Sequence, residues 1–311
     1  MSPTTVQFDV SEAVPIPGEH HVTAWVFPPS TVRERVPVLF CIPGGTYTKA
    51  YWHLEVPGRA GYSFGEHLAA QGTLVIAVDN LATGESSPHR RAIDLTPEVV
   101  ACANACAFAQ IVERAASGCL VPELAPLVLG STVGVGHSMG AMLTIFQQSM
   151  HGSFDAIAPL GYGTVGPIGT FGDAPAPTLE SVLDAARQGL LDDLPPPDRL
   201  PLRHHFYWDD VPADVVAADD LTATTIPGVC GIMSVVPFVV SDHAGRVDCP
   251  VFIGLGERDS TRDHRDEPSG YSSSSDITLF IVPTSAHCHN TAGTRHQMWD
   301  RLARWISALD A

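Results

Sequence analysis

Positive charge is scarce in this 311-residue chain. Lysine occurs once, at Lys49, and 17 Lys and Arg face 34 Asp and Glu, giving a net charge of −17. Nucleic-acid phosphates and anionic membranes repel such a surface, so neither is expected as a partner. The lysine shortage itself reads as compositional bias, not as function. Seven cysteines, an odd number, show no C-x-x-C or zinc-type spacing, which points to reduced thiols and a cytoplasmic location. No apolar run reaches the ~18 residues of a membrane span. Residues 1–15 lack the basic-then-apolar layout of a signal peptide. Fourteen histidines are present without H-E-x-x-H or a comparable cluster, so no metal and no cofactor is expected. Internal repeats and long low-complexity tracts are missing too. What remains is 45% hydrophobic and 16% charged, and long enough for one large α/β domain or for such a core with an insertion. The oligomeric state stays open, a homodimer included.

Apolar runs of strand length alternate with helical patterns. Residues 5–10 and 22–27 read as short strands, an antiparallel pair at a sheet edge. Runs at 37–42, 74–78, 131–135, 154–160, 251–255 and 277–282 read as core strands. Helical patterns fall at 62–71, 97–116, 141–150 and 296–309, the last with Trp299, Leu302 and Ile306 on one face. Continuous apolar strands separated by helices predict a mostly parallel, doubly wound sheet covered on both faces. Residues 164–247 break the alternation: a helix at 179–191, a Pro195-Pro196-Pro197 stop, aromatics at Phe206-Tyr207-Trp208 and an apolar run from 231 to 240. That stretch reads as a cap inserted over the sheet's C-terminal edge, dividing the chain into core (1–163), cap (164–247) and core (248–311).

The chemistry centres on Gly136-His137-Ser138-Met139-Gly140. A G-x-S-x-G between a strand and a helix lifts the serine Oγ onto a strained turn, with glycines where strand and helix approach. A nucleophilic Ser138 needs a base, a group that orients the base, and donors for an oxyanion. Strand 251–255 runs into Asp259 and strand 277–282 into His287, both at the same sheet edge, in the order Ser, Asp, His. Glu257, Asp263 and Asp266 compete with Asp259, and His289 competes with His287. The run Pro43-Gly44-Gly45-Thr46 follows a strand, and the N–H of Gly45 would pair with that of Met139. Two such donors, each about 3 Å from the developing negative charge, typically supply ~3–4 kcal/mol apiece.

These stations resemble the α/β-hydrolase superfamily over nearly the whole chain. Pro43-Gly44 stands where many members carry His-Gly, with Trp52 as the aromatic that follows. Asp79 to Ser86 matches a D-x-x-G-x-G-x-S pattern, Ala82 replacing its first glycine. Gly136 to Gly140 matches the nucleophile turn, and Gly256 to Asp259 and His287 match the acid and base positions. The resemblance implies that the insertion is the cap. The Pro-Gly-Gly-Thr-Tyr loop and the Ser-Ala-His-Cys-His-Asn end are similar to a bacterial branch that includes hydrolases of monoalkyl phthalates.

The expectation is therefore a cofactor-free serine esterase acting on a small-molecule ester through an acyl-enzyme. Thr46, Tyr47, His137, Arg203, Phe206, Trp208 and Phe238 are the candidate substrate contacts. Phe206, Tyr207, Trp208, Met233 and Phe238 suit an apolar or aromatic guest, or the cap's own core. Arg203, His204, His205 and Arg246 could hold a substrate carboxylate, or pair with Asp209, Asp210, Asp219 and Asp220. Carbon–carbon bond hydrolysis or lactone opening on the same residues is the nearest alternative. A non-catalytic ligand-binding protein is the alternative from another class.

Overall fold

Alternate residues of the strand Val36–Ile42 face opposite sides of a sheet, and all of them are buried. Val36, Val38, Phe40 and Ile42 enter one apolar core, while Leu39 and Cys41 enter another. A strand buried on both faces has no polar side, which is why it reads as an unbroken apolar run. The computed structural model describes residues 3–166 and 176–310.

The described elements run β1 (Thr4–Asp9), β2 (His21–Phe27), β3 (Val36–Ile42), α1 (Phe64–Ala70), β4 (Leu74–Val78), α2 (Pro97–Ser117), β5 (Leu129–His137), α3 (Met139–His151) and β6 (Ala156–Leu160). After them come α4 (Leu179–Arg187), α5 (Arg203–Phe206), α6 (Ala213–Asp220), α7 (Gly228–Met233) and α8 (Ser241–Ala244). The chain then returns through β7 (Val251–Gly256) and β8 (Ile277–Val282) to α9 (Arg295–Leu309). One eight-stranded sheet has the order β1-β2-β4-β3-β5-β6-β7-β8. β1 and β2 pair antiparallel, as does β2 with β4, and every later pairing is parallel. The sheet is mostly parallel and wound on both faces, as the alternation of apolar runs predicts.

Prolines mark the irregular points of the ladder. Pro37 has no N–H to donate, and the β3–β5 register shifts between Val36 and Val38. In β6, Ile157 N–H donates to Pro250 and Gly161 N–H to Gly254, so the residue midway, Pro159, leaves that edge one rung short.

α2 and α3 cover one face, α1 and α9 the other. Thr96 caps α2 through its Oγ1, with Pro97 at the first helical position, where a missing N–H costs nothing. α2 is the one described helix long and apolar enough, by length and mean composition, to cross a membrane, although it contains no unbroken apolar run of that length. Isolated polar residues such as Asn104 interrupt a contiguous run without lowering the average much. Here its Val100, Ala103, Ala107 and Ile111 stripe packs into the core. Met298, Trp299, Leu302 and Ile306 form the buried stripe of α9.

Between β6 and β7 the chain forms α4 to α8. Val182, Ala186, Val229, Met233 and Val236 build a small core of their own there, whereas Phe206 and Tyr207 join the core under α9.

Candidate active site

The turn from β5 into α3 holds Ser138 at φ 55°, ψ −120°. This backbone region suits glycine, and a serine kept there is strained. Close packing enforces it. A Cβ on Gly136 would collide with the Gly140 carbonyl, and one on Gly140 with the Ile42 carbonyl of β3. Only glycines let β5, α3 and β3 converge so tightly. Ser138 N–H donates to the Leu160 carbonyl at 2.8 Å, tying the turn to β6.

β7 and β8 end beside this turn. The loop after β8 brings His287 Nε2 to 2.9 Å from Ser138 Oγ. Asp259, after β7, meets His287 Nδ1 at 2.7 Å through Oδ1. Because a carboxylate only accepts, His287 donates from Nδ1, and in the neutral imidazole this leaves Nε2 as the acceptor for the serine hydroxyl. Asp259 is buried, and its oxygens also accept from Gly256 N–H, Ser260 N–H and His289 Nε2, each at 2.7 Å. Burial alone would raise its pKa. His289 alongside and the hydrogen bonds from both imidazoles outweigh that and hold the carboxyl well below the usual range. Of the rival acids, Glu257 is exposed and accepts from Thr284 N–H. Asp263 is exposed as well and accepts from Arg265 N–H, while Asp266 is exposed ahead of a 3-10 turn. His289, the rival base, lies on the far oxygen of Asp259.

A cavity of about 200 Å³ opens over Ser138, walled by Gly44, Gly45, Thr46, Tyr47, Tyr162, Leu202, Phe206, Ile226, Ile232 and Val235 among others. Among the described residues, its lining holds no Asp, Glu, Lys or Arg. Gly45 and Met139 lie side by side, a Cβ on Gly45 falling 3.8 Å from that of Met139. The Gly45 amide donates to no described protein group. Met139 opens α3, so its amide has no acceptor within the helix. Among the described residues, neither amide has a hydrogen-bond partner.

A family model described as an Abhydrolase family matches residues 5–96. No curated protein matches the sequence significantly. The structure is similar to an esterase from Thermogutta terrifontis, at TM-score 0.65 and 14% identity over 99% of this chain and 100% of that one. It is similar to a carboxyl esterase from Bacillus coagulans, at 0.67 and 14% over 100% of both chains. A monoglyceride lipase from Saccharomyces cerevisiae matches at 0.68 and 14% over 100% and 97%. The chain has the α/β-hydrolase fold.

Within this α/β-hydrolase framework, Ser138, Asp259, His287, Gly45, Met139, Thr46, Tyr47 and Phe206 come together at one rim. Three expected substrate contacts lie outside the cavity lining. Arg203 is exposed and paired with Asp220 at 2.5 Å. Trp208 carries the Arg258 guanidinium on its ring at 4.7 Å. Phe238 is 60% exposed, on a turn with φ 63°. Arg246, read as a carboxylate anchor, is exposed beside His243. His137 touches the cavity, but its ring stacks on Tyr51 at 4.3 Å and its Nε2 donates to the His287 carbonyl at 2.8 Å. Burial, then the neighbouring imidazoles, push its pKa well down and keep it neutral. It holds the His287 loop in place.

Two residues take roles here that sequence reasoning does not give: His205, read from the sequence as a possible carboxylate anchor, and Lys49. His205 stacks on His287 at 5.0 Å, and its pKa falls to about 3, chiefly through burial. Lys49, the single lysine, is buried and meets both Asp79 at 2.5 Å and Glu85 at 2.6 Å. Asp79 also accepts the Lys49 and Glu85 amides, so it ties the loop after β3 to the loop after β4. The D-x-x-G-x-G-x-S pattern marks Asp79. Nothing in the sequence marks its partner.

Proposed function

We propose that the chain is a serine hydrolase of carboxylic esters that works through an acyl-enzyme. The reading rests on one observation: Ser138 Oγ, His287 and Asp259 form a continuous hydrogen-bonded line, at 2.9 and 2.7 Å. The amides of Gly45 and Met139, which donate to no described protein group, are its proposed oxyanion donors. His287 takes the Ser138 proton as Oγ attacks the ester carbonyl. The two amides receive the negative oxygen. Asp259 fixes the imidazole tautomer and stabilises the imidazolium, which hands its proton to the departing alcohol. Water activated by the same imidazole then attacks the acyl-enzyme, releasing the acid and restoring Ser138. Residues 164–247, of which 167–175 lie outside the described residues, are proposed as the cap, Leu202, Phe206, Ile226, Ile232 and Val235 lining the cavity wall.

The substrate is a small, uncharged ester. The cavity volume falls below the ~300–1,000 Å³ of drug-sized sites. A carboxylate buried there would lose its hydration with no cation among the described lining residues to replace it. A monoalkyl phthalate is therefore disfavoured, since Arg203 and Arg246 lie elsewhere. Turnover of p-nitrophenyl butyrate by the wild type and by Ser138→Ala, with labelling by a fluorophosphonate, tests the assignment. The expected result is labelled wild type and a folded, inactive variant; equal turnover by both would overturn it.

A further inference from the structure

The turn that presents the Gly45 amide contains an unfavourable residue. Tyr47 N–H closes it onto the Gly44 carbonyl at 3.3 Å, leaving Gly45 and Thr46 as its central pair. Thr46 sits at φ 71°. A β-branched residue in the left-handed region is a genuine outlier and persists only where its surroundings hold it.

The hold comes from the segment between β6 and β7. Arg199 is 5% exposed, and its guanidinium spans the residue: Nε donates to Thr46 Oγ1 at 3.0 Å and Nη2 to the Thr46 carbonyl. Thr224 N–H, from the same segment, reaches that carbonyl at 3.0 Å. Arg199 is itself fixed. Nη1 donates to the Asp219 carbonyl at 3.0 Å and lies 3.5 Å from its carboxylate, and the guanidinium covers the Tyr47 ring at 4.0 Å. The phenols of Tyr47 and Tyr207 each donate to the Asp219 carboxylate at 2.6 Å, closing a buried cluster below the cavity. On its other side the loop is anchored to the core, where Lys49 N–H and Nζ meet Asp79.

We propose that Arg199 is a positioning residue for the oxyanion-binding turn, forcing Thr46 into the left-handed conformation that aims the Gly45 amide at the Ser138 carbonyl adduct. This rests on the acyl-transfer reading above. It makes the inserted segment a part of the anion site as well as a wall of the pocket. Arg199 touches no reacting atom; it acts through the geometry of the turn.

The test compares Arg199→Met, Arg199→Lys and the double variant Arg199→Met/Thr46→Gly on p-nitrophenyl butyrate, with melting curves for each. Arg199→Met is expected to lower kcat by about 10- to 100-fold with KM changed less than about threefold, the pattern of a misplaced transition-state donor. Glycine adopts a positive φ without support, so the double variant is expected to recover most of the lost kcat. Lysine keeps the charge near Asp219 but cannot fork across the Thr46 carbonyl and hydroxyl, so it should resemble Met in kcat while staying closer to wild type in melting. If Arg199→Met fails to fold, the Lys variant and its Thr46→Gly double are read by the same criteria. Unchanged kcat, or a loss that Thr46→Gly leaves untouched, overturns the inference while Ser138-dependent turnover stands. A wild type whose turnover survives Ser138→Ala overturns the acyl-transfer reading and takes this inference with it.

Discussion

His287 and His289 grip opposite oxygens of one carboxylate, each imidazole lying 2.7 Å from Asp259. One contact belongs to the line ending at Ser138. The other leaves Asp259 no freedom to rotate, and it contributes to the depressed pKa.

Replacing His289 with Ala should therefore leave Ser138 and His287 in place but loosen the acid and raise its pKa. A carboxyl depressed in the folded state stabilises the protein above its unfolded pKa, about 4, and loses that contribution as pH falls through the folded value. Without His289 the folded pKa rises, so acid unfolding should begin at higher pH than in the wild type. kcat/KM should fall by about tenfold, in the range of lost orienting contacts. Coincident acid-unfolding curves for the two proteins would remove His289 from this role.

Lys49→Met should destabilise the fold well beyond a surface change. It strips the cation from Asp79, which is buried, while the amides of Lys49 and Glu85 continue to donate to that carboxylate. Breaking a buried pair from one side costs about 3 kcal/mol or more. Urea unfolding should show a lower midpoint at unchanged slope. A shift worth less than about 1 kcal/mol would mean that the amide donors and water already satisfy Asp79 without the cation.

Strain at the turn predicts a gain. Ser138 occupies φ 55°, ψ −120°, where glycine rests without cost. Ser138→Gly should be more stable than Ser138→Ala by about 1–3 kcal/mol, both being inactive. Calorimetry would reveal it, and an Ala variant equal to or above the Gly variant would mean that the turn stores no strain.

Small neutral esters should be turned over fastest. The acetyl and butyryl p-nitrophenyl esters are expected to exceed the dodecanoyl ester in kcat/KM, because the lined cavity is only about 200 Å³. A neutral dialkyl phthalate should exceed its monoester by about tenfold or more, since no cation among the described lining residues repays the desolvated carboxylate. Faster turnover of the monoester would require an anchor that this lining lacks.

Much of this was legible beforehand because buried parallel strands advertise themselves. The runs at 74–78 and 277–282 are strands to the residue. β5 extends from Leu129 to His137, beyond the expected 131–135, because Gly130, Gly134 and Gly136 thin out its apolar signal. Phe154 reads as strand but is not. Gln148 takes both its N–H and its carbonyl at 2.9 and 3.0 Å, so the backbone is satisfied without a ladder. The helix expected at 62–71 begins at Phe64, where Ser63 Oγ caps Glu66 N–H at 3.0 Å. The helix expected at 179–191 stops at Arg187, just before Gly189 takes φ 71°. The run 231–240 is only partly helical, breaking after Met233.

The site divides along the same line. Ser138, Asp259 and His287 follow strand ends, so a pattern of runs finds them. Arg199 reaches Thr46 across 153 positions from a proline-rich stretch with no periodicity, and Arg203, four residues later, is the better-looking but solvent-facing cation. Long-range polar pairing leaves no local trace. It needs coordinates.

A chamber whose described lining carries no Asp, Glu, Lys or Arg sits inside a molecule of net charge −17. On the proposed chemistry an ester enters neutral, and its acid half emerges ionised into a negative field. That field drives the carboxylate outward and discourages its return, so clearing the chamber requires no moving part. Added electrolyte should weaken this one-way bias, and inhibition by the free acid should tighten as ionic strength rises.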